Sequence, residues 1–409
     1  MKPIIMSAIL CVCLAAGVTA DDPIAYVINT TGETLSRINL SDNAVDNNIE
    51  PLGSADFCYP NQIKIRDTLA YILNSGTAEI QIYDIKNETT VDWIFLPAGS
   101  NPYWMDFLND QYLYVTLFND NSLAKVDVTT NSVVLTTTVG LSPEGVMYHN
   151  DKIYVAVTGY NPVTYGFEEG YVVVYDPVGD TVIIEIEVGT NPQYMDRDSQ
   201  GRIHVACSGC SWCYPALPSL IYVIDSDTDA LVDSFTTGGN PGGIAITDED
   251  VAFLAAGGWA EDGEVYSYDA LTFDLLRDYE DPIYVDSGAF SVVAFGDSTI
   301  FVGTFSDRVF RINSAGETVN TYILGDGPIH FDFNYKPGDA NADFTVNIAD
   351  ASRLINWIFF EGADLIQPAW RANANADPSI NIADASYLIN YIFFGGGAPI
   401  VGPAWIDGD

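Results

Sequence analysis

Between residues 24 and 333 the chain writes one phrase again and again. A strand-like run with a Tyr-Val-type core opens it: AYVINT from Ala25, AYILNS from Ala70, LYVTLF from Leu113, IYVAVT from Ile153, IHVACS from Ile203, AFLAAG from Ala252 and IFVGTF from Ile300. A second run follows and usually closes on Asp or Asn, as in LSRIN, IQIYD, LAKVD, VVVYD, IYVID and VFRIN. A third run and a Gly/Asn/Pro turn complete the phrase, as in GSNPYWMDF from Gly99 and GTNPQYMDR from Gly189. The starts recur every 40 to 50 residues.

Short β-branched and aromatic runs at that period, four to a unit, predict a β-propeller. Seven Tyr-Val-type strands are present, but the first has no inner strand before it. The last phrase is followed by an orphan inner strand, PIHFDF, from Pro328 to Phe333. The expected architecture is therefore seven blades, closed by pairing that last strand with the N-terminal three, which removes free sheet edges. The phrases YVIN, YVTL and YVAV, with the Asp-closed strand and GxNP, resemble the YVTN-type propeller repeats of bacterial surface and secreted proteins. The resemblance covers about 310 residues and speaks to blade geometry, since propellers host enzymes and binding scaffolds alike.

Within the ring the candidate chemistry is sparse. The three histidines are His149, His204 and His330, read as packed strand residues rather than as a catalytic or metal-binding trio. Asp106, Asp196 and Asp332 recur on inner strands and are expected to serve neighbouring backbone N–H groups. No GxSxG, HExxH or phosphate-loop motif is present. Three long loops, 158–170, 207–219 and 256–263, fall between second and third strands of consecutive blades. They therefore emerge on one face, and their Tyr, Trp and Pro content suits recognition of carbohydrate or peptide.

The start of the chain, Met1-Lys2 followed by the apolar run IIMSAILCVCLAAGVTA, reads as a secretory signal peptide, residues 1–20. Four cysteines follow it: Cys58, Cys207, Cys210 and Cys213. In an exported chain all four are disulfide candidates, and at least one bridge is expected inside the CSGCSWC cluster. Fifty-six acids against 15 bases give a net charge of −41. Nucleic acid and anionic membrane surfaces would be repelled. No later stretch is long and apolar enough for a membrane span.

After Pro337 the composition changes. GDANADFTVNIADASRLINWIFF from Gly338 and ANANADPSINIADASYLINYIFF from Ala372 are one unit written twice at an offset of 34 residues. Counting Asp339 as position 1 places Asn341 at 3, Asp343 at 5, Thr345 at 7 and Asp350 at 12, the spacing of a calcium loop. In the second copy Asn373, Asn375, Asp377, Ser379 and Asp384 take those places. Each loop runs into a helix with apolar residues at helical spacing. The duplicated loop–helix unit with Asp at position 12 resembles the type I dockerin module.

That resemblance covers about 70 residues and implies two calcium ions and docking onto a cohesin of another protein. Carried over by position, Asp339, Asn341, Asp343, Thr345 (carbonyl) and Asp350 hold the first ion. Asn373, Asn375, Asp377, Ser379 (carbonyl) and Asp384 hold the second, with Asn347 and Asn381 acting through water. Position 6, usually Gly, is Phe344 or Pro378. Positions 10 and 11, commonly small hydroxyl residues, are Ile348-Ala349 and Ile382-Ala383. Loop two, with two acids against three, is expected to bind calcium more weakly.

The expected protein is thus mainly β: a propeller over 21–335, then a small α-helical tandem calcium-loop domain over 336–409. As to function, two readings stand. One is an extracellular, non-catalytic binding scaffold attached through a cohesin-like or other surface receptor. The other is a tethered lyase or hydrolase acting on polysaccharide.

Overall fold

A computed structural model describes residues 24–399, except 41, 67, 248, 257–262, 286–287, 296–298, 335–337, 342–345, 361–368, 376–378 and 398. The signal peptide expected over 1–20 lies outside these residues, as does the junction between the two parts.

Seven antiparallel sheets follow one another along the chain. Their inner strands are Pro328–Asn334 (blade one), Pro60–Arg66 (two), Pro102–Phe107 (three), Pro143–His149 (four), Pro192–Arg197 (five), Ile244–Ile246 (six) and Ala289–Phe295 (seven). Closure is as the strand count requires. Pro328–Asn334 pairs antiparallel with Ile24–Asn29, setting Ala25 opposite Phe333 and Tyr26 opposite Asp332.

The apolar pattern explains why sheets stack in a ring. Second strands such as Ile24–Asn29 are buried on both faces, because each lies between two neighbouring blades. Outer strands such as Thr89–Phe95 are mostly exposed, because they lie at the rim of the ring. Seven apolar clusters result, one in every gap between blades, including the closing gap, where Phe295, Phe301, Phe331 and Phe333 meet Ala25 and Val27.

In blades two to seven the Asp or Asn that closes the third strand caps a turn. Asp84 Oδ1 accepts the N–H groups of Lys86 and Asn87, both at 2.9 Å. Asp225 does the same for Asp227 and Thr228. These are Asx turns, which mimic a backbone turn and secure the last hairpin of the blade. At the opposite face, Asn101 and Asn191 adopt φ of 49° and 58° directly before the inner-strand prolines, in the left-handed region that Asn tolerates.

Beyond the ring, helices α1 (Ile348–Phe359) and α2 (Ile382–Phe394) pack through Ala351, Leu354, Ala385 and Leu388. Asn347 and Asn381 are their N-caps. Each accepts the N–H two residues on, at 2.8 Å, while Asp350 or Asp384 reaches back to the cap's own N–H at 2.7 or 2.8 Å. This reciprocal box satisfies two of the orphan donors of each helix start.

Candidate functional site

Two places concentrate oxygen-bearing or ionisable side chains where the packing has use for few of them. The first is the pair of loops before α1 and α2. Asp339, Asp350, Asn373 and Asp384 are fully buried there. Asp350 Oδ1 accepts the Asn341 N–H (3.1 Å), and Asp384 Oδ1 accepts the N–H groups of Ala374 (3.0 Å) and Asn375 (3.3 Å). One carboxylate thus ties the start of each loop to its helix. The sequence reading gave Asn347 and Asn381 to water; the structure makes them helix caps, a role that the NIAD spacing already carried.

Arg371, just ahead of the second loop, is buried with its Nη2 3.1 Å from Asp339 Oδ2 of the first. It links the two halves and offsets part of the buried charge. Asp343, Thr345 and Asp377, together with Phe344 and Pro378, lie outside the described residues; Ser379 is described. Among the described residues no three Asp, Glu, His or Cys side chains converge as a metal cluster. The donor set itself fits a hard cation: three buried carboxylates and amide oxygens, with the Arg371 guanidinium offsetting only part of their charge.

The second place is the axis of the propeller. Its inner-strand acids serve the next blade along. Asp332 Oδ2 of blade one accepts the Ile65 N–H of blade two at 2.7 Å. Asp106 Oδ2 of blade three accepts Tyr148 N–H of blade four, and Asp196 Oδ2 of blade five accepts Ile246 N–H of blade six, both at 2.7 Å. Gln62 and His330 play the same part for Met105 N–H (2.7 Å) and Ile63 N–H (3.3 Å). Burial pushes the Asp332 carboxyl up to about 6, with the two N–H donors and Lys64 pulling the other way. Lys64 is also ion-paired with Asp106.

The histidines do not share a ligand. His204 is wholly buried between the Tyr268 hydroxyl (2.8 Å) and Asp198 (3.3 Å). His149 meets the Gly201 carbonyl and Arg197, and burial first, then Arg197, lower it to about 4. Burial and Lys64 lower His330 to about 3, so it is a neutral acceptor. Each is a packed strand residue.

Sequence reasoning missed the cluster directly above. In blades three, four and five the residue after the inner-strand proline sits at the mouth of the channel: Tyr103, Glu144 and Gln193. A register shift follows each of these prolines and re-aims the strand start. Glu144 is 6 % exposed, and its Oε2 accepts from Gln193 Nε2 at 3.0 Å. Burial pushes its carboxyl up to about 8, against hydrogen bonds from Gln193 and Tyr103. The Tyr103 and Tyr194 hydroxyls lie 3.5 Å apart. Trp104 stands edge-on between Tyr194 (4.9 Å) and His330 (4.8 Å), so rings from blades one, three and five meet across the axis. The Pro-x dipeptide of the turn was the available signal, but the sequence shows it only as a strand start.

From that mouth an aromatic run leads outward over the loop face. Tyr103, Phe118, Tyr160, Phe167 and Trp212 follow one another at centroid spacings of 5.4 to 6.1 Å. Two of the three long loops supply it. Loop 158–170 folds back as a small hairpin, Tyr160–Asn161 with Gly166–Phe167, and carries exposed Val163 and Tyr165. Loop 207–219 is held by a Cys210–Cys213 disulfide and a Cys210–Leu217 bridge, and presents Trp212 and Tyr214. Of the third loop, residues 257–262 lie outside the described set. Cys58 and Cys207, the other two disulfide candidates, are unbridged: each is buried in a different gap between blades. The Cys58 thiol faces the Leu52 carbonyl oxygen at 3.3 Å instead.

No helix among the described residues is long and apolar enough to cross a membrane.

Residues 337–393 match the family model described as the dockerin type I domain. Domains of this type bind calcium, dock onto cohesin-bearing assemblies and occur in extracellular, cell-surface complexes. The chain is thus a seven-bladed propeller followed by a dockerin domain. Among solved structures it is similar to a functionally unknown protein from Desulfotomaculum acetoxidans, with 13% identity over 76% of this chain and 99% of that one, at a TM-score of 0.58. Hydrazine synthase of Kuenenia stuttgartiensis matches at 13% identity over 68% of this chain and 90% of that one, TM-score 0.56. The WD40 repeats of RRP9 match at 12% identity over 68% and 84%, TM-score 0.54. At such identities the likeness is one of fold alone. No curated protein matches the sequence.

Proposed function

We propose that the chain is an exported assembly subunit, attached by its dockerin domain to a cohesin and carrying the propeller as a non-catalytic binding scaffold. The match of residues 337–393 to the dockerin type I domain carries this reading. In it, Asp339, Asn341, Asp343, Thr345 and Asp350 hold one calcium ion, and Asn373, Asn375, Asp377, Ser379 and Asp384 the other. The ions neutralise carboxylates that would otherwise repel within two small loops, so metal binding and folding of the domain are coupled. Ile348-Ala349 and Ile382-Ala383 are exposed at both helix starts, with Phe359, Phe360, Phe393 and Phe394 exposed at both helix ends. A cohesin for this domain accordingly offers an apolar face rather than partners for serine or threonine hydroxyls.

For the propeller, the aromatic run on the loop face favours recognition of a carbohydrate or peptide over turnover. The hydrogen bonds to the Glu144 carboxyl come from an amide and a phenol, not from a second carboxylate or a histidine. A polysaccharide lyase or hydrolase would need such a second group beside it.

The test is a titration of the full chain against a panel of type I cohesins, with calcium and with chelator. Saturable binding to at least one, lost on chelation, is expected. Calcium-independent binding, or none across the panel, would overturn the attachment. Release of product from a glycan panel would overturn the non-catalytic propeller.

A further inference from the structure

Among the described residues at the channel mouth, Glu144 is a buried acid that no backbone N–H of a neighbouring blade uses. Other acids on the inner strands, Asp106, Asp196 and Asp332, accept backbone N–H groups from the next blade. Glu144 instead faces the Gln193 amide and the Tyr103 hydroxyl, and no lysine, arginine or histidine contributes to its field. A glutamine there would make the same hydrogen bonds without the cost of a buried acid. Gln193 is itself held from behind, its Oε1 hydrogen-bonded to the Ser208 hydroxyl, which also lies 2.7 Å from the Pro241 carbonyl oxygen. The carboxyl is therefore positioned, buried and, among the described residues, not paired with a cation.

Its surroundings say which counter-ion would suit. Tyr103 and Trp104 are half-buried, and Tyr194 closes the inner side. Aromatic faces attract a soft, weakly hydrated organic cation. They offer nothing to calcium or magnesium, which need six or more oxygens. An anion would meet the field of a chain carrying −41.

We propose that the channel mouth is a binding site for an organic ammonium group, with Glu144 as its counter-ion and Tyr103, Trp104 and Tyr194 as its walls. On binding, the carboxyl gives its proton to solvent and pairs with the incoming cation, so that charge balances inside the site. The run from Tyr103 through Phe118 and Tyr160 to Trp212 then takes the apolar remainder of the ligand across the loop face. This rests on the reading of the propeller as a binding domain and names the chemistry that it binds. The titratable groups facing Glu144 are Tyr103 and Tyr194, whose hydroxyls burial pushes above their ordinary range. Near neutral pH only Glu144 among these three changes charge.

The experiment uses the full chain in calcium, followed by calorimetry and tryptophan fluorescence, with benzylammonium, benzyltrimethylammonium and the neutral isostere benzyl alcohol as probes. Both cations are expected to saturate one site, at least about tenfold more tightly than the alcohol. Between pH 6 and 8 the affinity should rise, with one proton released at the lower pH. Glu144→Gln should weaken both cations at least about tenfold while leaving cohesin binding intact. Equal binding of alcohol and ammonium, an unaffected Glu144→Gln variant, or no saturation by either cation would each overturn the proposal. A parallel titration with neutral oligosaccharides separates the two levels. Saturable glycan binding without ammonium binding would leave the scaffold reading standing and sink this one; glycan turnover would sink the scaffold reading itself.

Discussion

The ring and the C-terminal domain use the same residue, aspartate, in opposite regimes. In the propeller, Asp106, Asp196 and Asp332 stand one to a blade, and each accepts an N–H from the next inner strand. Between them lie seven apolar gaps filled by whole strands, so no single acid decides the fold. In the dockerin domain Asp339, Asp350 and Asp384 are buried together beneath two short helices, and the core beside them is largely alanine. Arg371 offsets one of the three. Dispersed acids can be satisfied by backbone dipoles, whereas concentrated ones call for an added cation. Metal dependence should accordingly be a local property of the last seventy residues, not of the protein.

The most direct way to break that contrast is to remove calcium. Chelation should unfold α1 and α2 completely, seen as lost helical circular dichroism and protease cleavage beyond residue 337, while the strand signal of the ring stays. Unfolding of both parts together, or of neither, would end the comparison.

Next in size is a cut at the ring's closing gap. Phe331→Ala should cost the propeller about 3–5 kcal/mol in denaturant unfolding, the range for deleting a buried phenylalanine, with no change in calcium affinity. A shift in calcium titration would mean that the two parts are coupled.

The comparison also runs inside the dockerin domain. Loop one has three acids at the positions proposed to hold calcium and loop two has two. Asp350→Ala should therefore reduce calcium affinity more than Asp384→Ala, as followed by calorimetry of the full chain. Equal losses would show that the neighbouring helices, not ligand charge, set affinity.

The smallest effect concerns Glu144, a buried ring acid whose carboxyl accepts from side chains rather than from a backbone N–H. Burial holds Glu144 at about 8 in the folded chain, well above its ordinary value, so the folded state keeps a proton that the unfolded state has lost. Stability from this group is complete below the unfolded pKa and is lost as pH rises through about 8. His149 and His330, held low at about 4 and about 3, oppose it chiefly below the ordinary histidine range, and Asp332, at about 6, is mostly ionised by then. From pH 6.5 to 8 propeller stability should therefore fall, by up to about 1.4 kcal/mol per pH unit, and Glu144→Gln should flatten that slope. A slope unchanged in the variant would show that Glu144 is already ionised in the folded protein.

Much of the architecture was legible from the chain because it is written in local periods. Strand runs at a fixed spacing, a proline before each of most inner strands and an orphan run at Pro328 imply seven blades and the mode of closure before any contact is known. The doubled NIAD likewise carries both helix starts, since an N-cap and its partner three residues on need only the backbone between them. Even the fate of Asp106, Asp196 and Asp332 followed from strand position, because a polar group on a buried inner strand has the backbone N–H groups of the next strand within reach.

What the sequence could not disclose depends on rings closing on themselves. Tyr103, Glu144 and Gln193 follow one another at intervals of 40 to 50 residues, at strand starts that look alike from blade to blade. Only the curvature of the ring turns three strand starts toward one axis. It does the same for Trp104 and His330, which lie far apart in the sequence. The loop cysteines show the same limit: the spacing of Cys207, Cys210 and Cys213 allowed several bridges. Burial of Cys207 in the gap between blades four and five left Cys210 and Cys213 to pair. Sequence determined the repeating parts, whose physics is complete within one blade. Tertiary structure alone decided the channel mouth, because its carboxyl, its amide and its aromatic walls come from three different blades.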